Sequence, residues 1–128
     1  MNPDIRKASS PSGTIGGVSI EASGDLVIAT IRLNALMGED ATSIGNTVLD
    51  ETKASATAAR LVALDMHRVE MLNSVAIGML VTLQTSLLAM KIEFVLLGVR
   101  PSIRELLHTM RLDSVFRFVE SRTELATA

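Results

Sequence analysis

Hydrophobic and polar positions alternate in a short run over residues 18–22, and a run rich in β-branched residues follows over residues 26–33, with Ser23-Gly24-Asp25 between them. A period of two, β-branched residues and a glycine-containing turn predict a β-hairpin. Residues 34–39 read as a connection, and Asp40 is placed to cap a helix over residues 41–57. That helix carries Ile44, Val48 and Leu49 on one side, and Gly45 and several Ser and Thr weaken it. Residues 61–65 form a short apolar run of the kind that becomes a buried strand.

The strongest helical pattern covers residues 76–91. Ile77, Leu80, Val81, Leu87 and Leu88 make a broad apolar face, widened by Met79, Leu83 and Met90. The other side carries Gly78, Thr82, Thr85, Ser86 and Ala89, all small and uncharged. A strand is expected over residues 92–97. A helix follows, opened by Ser102 and Glu105 at capping-box spacing and carrying Ile103, Leu106, Leu107 and Met110 at helical intervals. Residues 115–119 alternate as a short last strand, and residues 123–126 suit a terminal helical turn. The order β-β-α-β-α-β-α-β predicts an α/β fold with parallel neighbours joined by right-handed crossovers.

Composition narrows the function classes. A chain of 128 residues suits one domain. Its first 16 residues, rich in Ser, Gly and Pro, are expected to form a flexible arm ahead of a domain over residues 17–128. Aromatic residues are only 2%, which argues against a base-stacking surface, and a net charge of −2 with no basic block argues against nucleic acid as a partner. The absence of cysteine removes disulfides, a thiol nucleophile and thiolate metal sites, and fits a reducing, cytoplasmic compartment. Residues 1–13 hold no apolar run of the secretory-leader kind. Residues 71–90 are uncharged, but six polar side chains, among them Asn73, Ser74 and Gln84, argue against membrane insertion.

Catalytic signatures are sparse. The two histidines, His67 and His108, are not set in a metal-binding motif, and no glycine-rich phosphate loop precedes a Lys-Ser/Thr pair. No cofactor is expected, and no enzymatic activity. Asp65 ends a strand, where it serves either a ligand at the carboxyl edge of the sheet or the amides of its own turn. Asn73-Ser74 lies at the start of the helix with the strongest pattern. Either residue is a good cap, and Ser74 there is also a plausible phosphate acceptor, since free N–H groups and the positive end of the helix dipole face the added charge.

The stretch from Leu61 to Leu80 resembles the central segment of STAS domains, in particular bacterial anti-sigma-factor antagonists. That segment is an apolar strand ending in Asp, a loop, then Asp-Ser-Ser-Gly-Leu-Gly opening a helix. Leu64-Asp65 matches the strand end, and Asn73-Ser74-Val75-Ala76-Ile77-Gly78 occupies the signature. Leu97-Gly98-Val99-Arg100-Pro101-Ser102 through Leu112-Asp113 is similar to the family's following loop and helix. The resemblance implies a single STAS-type α/β domain, with a mixed sheet of about four to five strands and helices packed mainly on one face.

The resemblance also implies a regulatory protein that binds a partner-switching serine kinase acting as anti-sigma factor. Phosphorylation of a loop serine, Ser74 by position, would switch it, and a PP2C-type phosphatase would reset it. The partner surface implied comprises Asp65, Met71, Leu72, Asn73, Ser74 and Val75 with the helix face at Gly78, Thr82 and Ser86; a homodimer is the other way of covering that face. Asn73, Val75 and Ala76 depart from the family's Asp, second Ser and first Gly. Those departures favour an alternative, a constitutive module that is never phosphorylated and serves as a scaffold or a transporter-associated subunit.

Overall fold

The computed structural model describes residues 13–15, 17–55 and 59–125. The elements in chain order are β1 (Gly13–Ile15), β2 (Val18–Ser23), β3 (Leu26–Ile31), β4 (Ala35–Leu36), α1 (Gly38–Ser55), β5 (Leu61–Asp65), β6 (Met71–Leu72), α2 (Ser74–Ala89), β7 (Glu93–Leu97), α3 (Pro101–Thr109), β8 (Arg117–Val119) and α4 (Arg122–Leu125). The main sheet has the order β1-β2-β3-β5-β7-β8. β1, β2 and β3 pair antiparallel, and β3, β5, β7 and β8 are all parallel. This is the mixed sheet the alternation of elements predicts. β1 adds a sixth strand; the rest of the arm expected over residues 1–16 lies outside the described residues.

The sheet has two unequal faces. Val62, Leu64, Phe94 and Leu96 point into the main core, where Ala41, Ile44 and Val48 of α1, Leu80, Leu83 and Leu87 of α2, and Ile103 and Leu107 of α3 meet them. The intervening residues Ala63, Val95 and Leu97 face the other way and pack with Ile28, Val119 and Leu125 of α4. Strand periodicity explains the split, because successive side chains leave opposite faces. α4 is tied across that second face by Arg122, which donates to Glu21 and Thr30 at 2.9 and 3.4 Å. α1 and α2 approach closely at Gly45, where a Cβ would lie 2.5 Å from Met79 Cγ. The glycine that weakens α1 as an isolated helix is therefore what lets the two helices pack.

Several local expectations are corrected. The connection over residues 34–39 contains β4, which pairs parallel with β6 so that Ala35 and Leu36 stand beside Met71 and Leu72. Asp40 is not the cap of α1. Gly38 opens the helix at φ +54, and the N–H groups of Asp40 and Ala41 both return to the Met37 carbonyl, so Asp40 lies inside the first turn. Ser102 and Glu105 form no capping box. Arg100 is the cap position, extended at φ −66 and ψ 149 as a residue before proline must be, and Pro101 starts α3 one residue before Ser102. Leu88 leaves the apolar face of α2 and is 67% exposed, because it sits about 100° around the helix from buried Leu87. No helix among the described residues is long and apolar enough to cross a membrane.

Candidate functional site

All four parallel strands point the same way, so their carboxyl ends and the starts of α1, α2 and α3 share one end of the molecule. This upper end is where open α/β sheets usually bind their ligands. It holds Asp65 at the end of β5, Gly98 and Arg100 after β7, and the segment Met71–Ser74 that launches α2.

Asn73 builds the start of α2. It is extended, with φ −110 and ψ −175, and its side-chain oxygen accepts from the Ala76 N–H at 3.1 Å. Its own carbonyl accepts from the Ile77 N–H at 3.0 Å. An aspartate would make the same bond; the amide keeps the geometry without the charge. Ser74 is the first helical residue and is exposed, as is Val75 at 44%. Their N–H groups precede the first bonded turn and have no acceptor among the described residues. The first turn of α2 carries no acidic residue. A phosphoryl group on Ser74 would thus meet two free donors and the positive end of a 16-residue helix, a favourable interaction of about 0.3–1 kcal/mol at such an exposed position.

The flanking segment is held from below. β6 pairs with β4, and the Asn34 carbonyl accepts from the N–H groups of Glu70 and Met71. Leu72 is buried, whereas Met71 is 55% exposed and projects from the surface. Gly78 and Thr82 are exposed and Ser86 is half-buried. A Cβ on Gly78 would meet nothing within 4 Å, so the helix surface there is open. Met71, Ser74, Val75, Gly78 and Thr82 form an exposed strip, with Asn73 half-buried among them and Leu72 buried.

Asp65 lies apart from this strip. It is only 7% exposed, and its Oδ1 accepts from the His67 N–H at 3.0 Å and from His67 Nδ1 at 2.7 Å. A carboxylate can only accept, so Nδ1 carries the hydrogen and Nε2 is turned outward. Gly98 packs beneath, at φ +65; a Cβ there would come within 3.2 Å of His67 Cβ. Arg100 donates from Nε to the His67 carbonyl at 2.9 Å and lies 3.8 Å from Glu70. Asp65 thus bonds the amide and the imidazole of His67 within its own turn. His67, Gly98 and Arg100 escape a reading of the sequence as a lone histidine and two loop residues. The available signal was Asp-x-His at the end of a strand, the spacing of a side chain that bonds two residues ahead.

Among the described residues no three His, Asp or Glu side chains converge as a metal site. The arrangement offers an exposed hydroxyl at a helix start, a rigid polar loop and an uncharged helix surface.

Comparisons with known proteins agree with this form. An anti-sigma-factor antagonist (STAS) domain protein from Planctomyces limnophilus superposes with a TM-score of 0.74 at 21% identity, over 90% of this chain and 100% of that one. The phosphorylated form of the Bacillus cell fate determinant SpoIIAA gives 0.65 at 14% identity, over 86% and 97%. The murine Slc26a9 anion transporter gives 0.69 at 13% identity, over 85% of this chain but only 18% of the transporter. A comparison with curated sequences finds no match. The model of the STAS domain matches residues 19–126, nearly the whole described fold, and the chain belongs to the STAS domain family.

Proposed function

We propose that this protein is a regulatory antagonist of the partner-switching kind. It binds a serine kinase that doubles as an anti-sigma factor, and phosphorylation of Ser74 ends that binding. The observation that carries the reading is the exposed Ser74 hydroxyl on the first residue of α2, already backed by the Asn73 cap and unbonded N–H groups. The fold tolerates the added charge, while a partner lying on Met71, Val75, Gly78 and Thr82 meets a new dianion in an interface that holds no cation of its own. A PP2C-type phosphatase restores the unmodified surface. The site calls for no cofactor and no catalysis by this chain, and the cytoplasm is where such a pathway operates.

Mass spectrometry of the protein from its native host, with Ser74→Ala as control, tests the switch. Phosphate at Ser74 that varies with growth conditions is expected. No phosphate under any condition, with a partner still co-purifying, overturns the switch in favour of a constitutive module. One observation favours that second reading: Asn73 stands where the family has Asp, so residue 73 offers no carboxylate beside Ser74 to orient its hydroxyl. The surface itself is tested by Gly78→Arg, which fits into open space. It should abolish partner binding without lowering the unfolding temperature; unaltered binding removes α2 from the interface.

A further inference from the structure

The opposite, lower end of the molecule holds the carboxyl ends of the helices, about 24 Å from Ser74 along α2. α2 and α3 finish in the same way. In α2 the Ile92 N–H returns to the Leu87 carbonyl at 2.8 Å and the Lys91 N–H to Leu88 at 2.8 Å. In α3 the Leu112 N–H returns to Leu107 at 2.8 Å and the Arg111 N–H to His108 at 2.9 Å. Both turns require a left-handed residue, a place ordinarily given to glycine because a Cβ there crowds the backbone carbonyl. This chain uses glycine at positive φ at Gly17, Gly24, Gly38 and Gly98, yet puts Lys91 and Arg111 at φ 62 in these two turns. Each cation directly follows an exposed methionine, Met90 at 37% and Met110 at 45%. Strain kept twice, with the same pair of residue types, points to a use for the side chains.

Beside these helix ends runs an open groove of about 250 Å³. Ile92, Phe94 and Phe116 floor it, and Leu88 and Val115 form its rim. Leu88 is the most exposed large apolar side chain described. Gln84 holds the groove in shape by donating to the Val115 carbonyl at 2.9 Å. Glu93 in its lining is engaged by Arg117, also in the lining, and the nearby Asp113 is engaged by His108. Lys91 and Arg111 have no acidic partner among the described residues. The surface therefore combines a trough with an apolar floor and polar groups from Gln84, Glu93, Ser114 and Arg117 in its lining, two adaptable thioethers on the neighbouring helix ends, and two cations without an acidic partner among the described residues.

We infer that this lower end is a second protein-docking surface, shaped for an acidic amphipathic helix of a partner. Aliphatic side chains of that helix fill the groove beside Leu88 and Phe116, and its carboxylates meet Lys91 and Arg111. The concave trough favours a helix over a flat lipid surface, and Lys91 and Arg111, without acidic partners among the described residues, set the sign of its charge. The surface lies far enough from Ser74 for both to be occupied together, and the inference stands whether or not Ser74 is phosphorylated.

The test titrates the full isotope-labelled chain with a synthetic peptide of Leu, Ala and Glu patterned as an amphipathic helix, followed by NMR. Controls are a peptide of the same composition in scrambled order and vesicles of phosphatidylserine and phosphatidylcholine. Amide shifts should concentrate in residues 88–92 and 111–117. Leu88→Asp, and Lys91→Glu combined with Arg111→Glu, should each weaken binding about tenfold or more. Lys91→Gly separates function from folding, because it should raise the unfolding temperature while lowering affinity for the peptide. Shifts centred on Ser74, equal binding of the scrambled peptide, binding to the vesicles alone, or no binding at all would each overturn the inference.

Discussion

The two ends of α2 solve the same problem by different means. A helix leaves backbone donors unbonded at its start and acceptors unbonded at its finish. At the upper end a side chain supplies the missing partner: Asn73 caps Ala76 from a relaxed, extended backbone. At the lower end the backbone caps itself, and Lys91 pays with a left-handed conformation. The difference teaches where sequence is constrained. Residue 73 must be a short polar side chain, whereas residue 91 must bend, and glycine would bend better. A side chain kept where glycine is favoured is free to serve something other than the fold.

The largest expected effect lies at the upper end, beside the α2 start. Asp65→Ala removes the acceptor for two hydrogen bonds from His67 in a nearly buried site and should cost about 1–3 kcal/mol in denaturant unfolding. A loss near zero would show that Arg100 alone holds the loop. Asn73→Ala should cost about 1 kcal/mol and speed amide exchange at residues 74–76 while leaving residues 88–92 unchanged. Equal acceleration at both ends would mean that α2 frays as one unit, and the contrast drawn above would fail. Lys91→Gly should act in the other direction, adding about 0.5–1 kcal/mol by relieving the left-handed residue. A destabilised variant would mean that the lysine itself supports the turn.

The smallest effect belongs to the exposed pair at the end of α3. Its hydrogen bond to Asp113 raises the pKa of His108 above 6.5, and the same bond from His108 lowers that of Asp113 below 3.8. A raised histidine stabilises the fold fully below 6.5 and loses that contribution as pH rises through its folded value. A lowered aspartate contributes above 3.8 and loses it as pH falls through its folded value. His108→Ala should therefore lower stability most between about pH 4 and 6.5, with little difference at higher pH, and added salt should shrink the gap. A deficit that persists unchanged at alkaline pH would assign the effect to packing instead of charge.

The parts of the fold that follow from local periodicity were legible in the sequence. β5 spans the continuous apolar run at residues 61–65, and α2 occupies the long stretch without charge, whose length and composition suit a helix packed against the sheet. The residues of the exposed strip were legible through the family signature around Asn73-Ser74. What was not legible depends on distant partners or on competition between start signals. β4 and β6 are two residues each and exist only because they meet. Ser102 and Glu105 have the spacing of a capping box, but Pro101 fixes the backbone one position earlier and swallows Ser102 into the helix. His67 looks solitary until β5 and β7 are set side by side and Gly98 comes beneath it. The left-handed Lys91 and Arg111 were invisible because neither residue type announces that conformation.

The short ladder between β4 and β6 has a mechanical consequence. Leu36 stands beside Leu72, and two residues further on, at Gly38 and at Ser74, α1 and α2 begin. Both helices hang from one yoke two residues wide, anchored by the buried Leu36 and Leu72. A displacement at Met71 is passed across the ladder to Ala35, just ahead of the start of α1. The starts of the two helices are thus coupled through one ladder instead of standing as two independent arms.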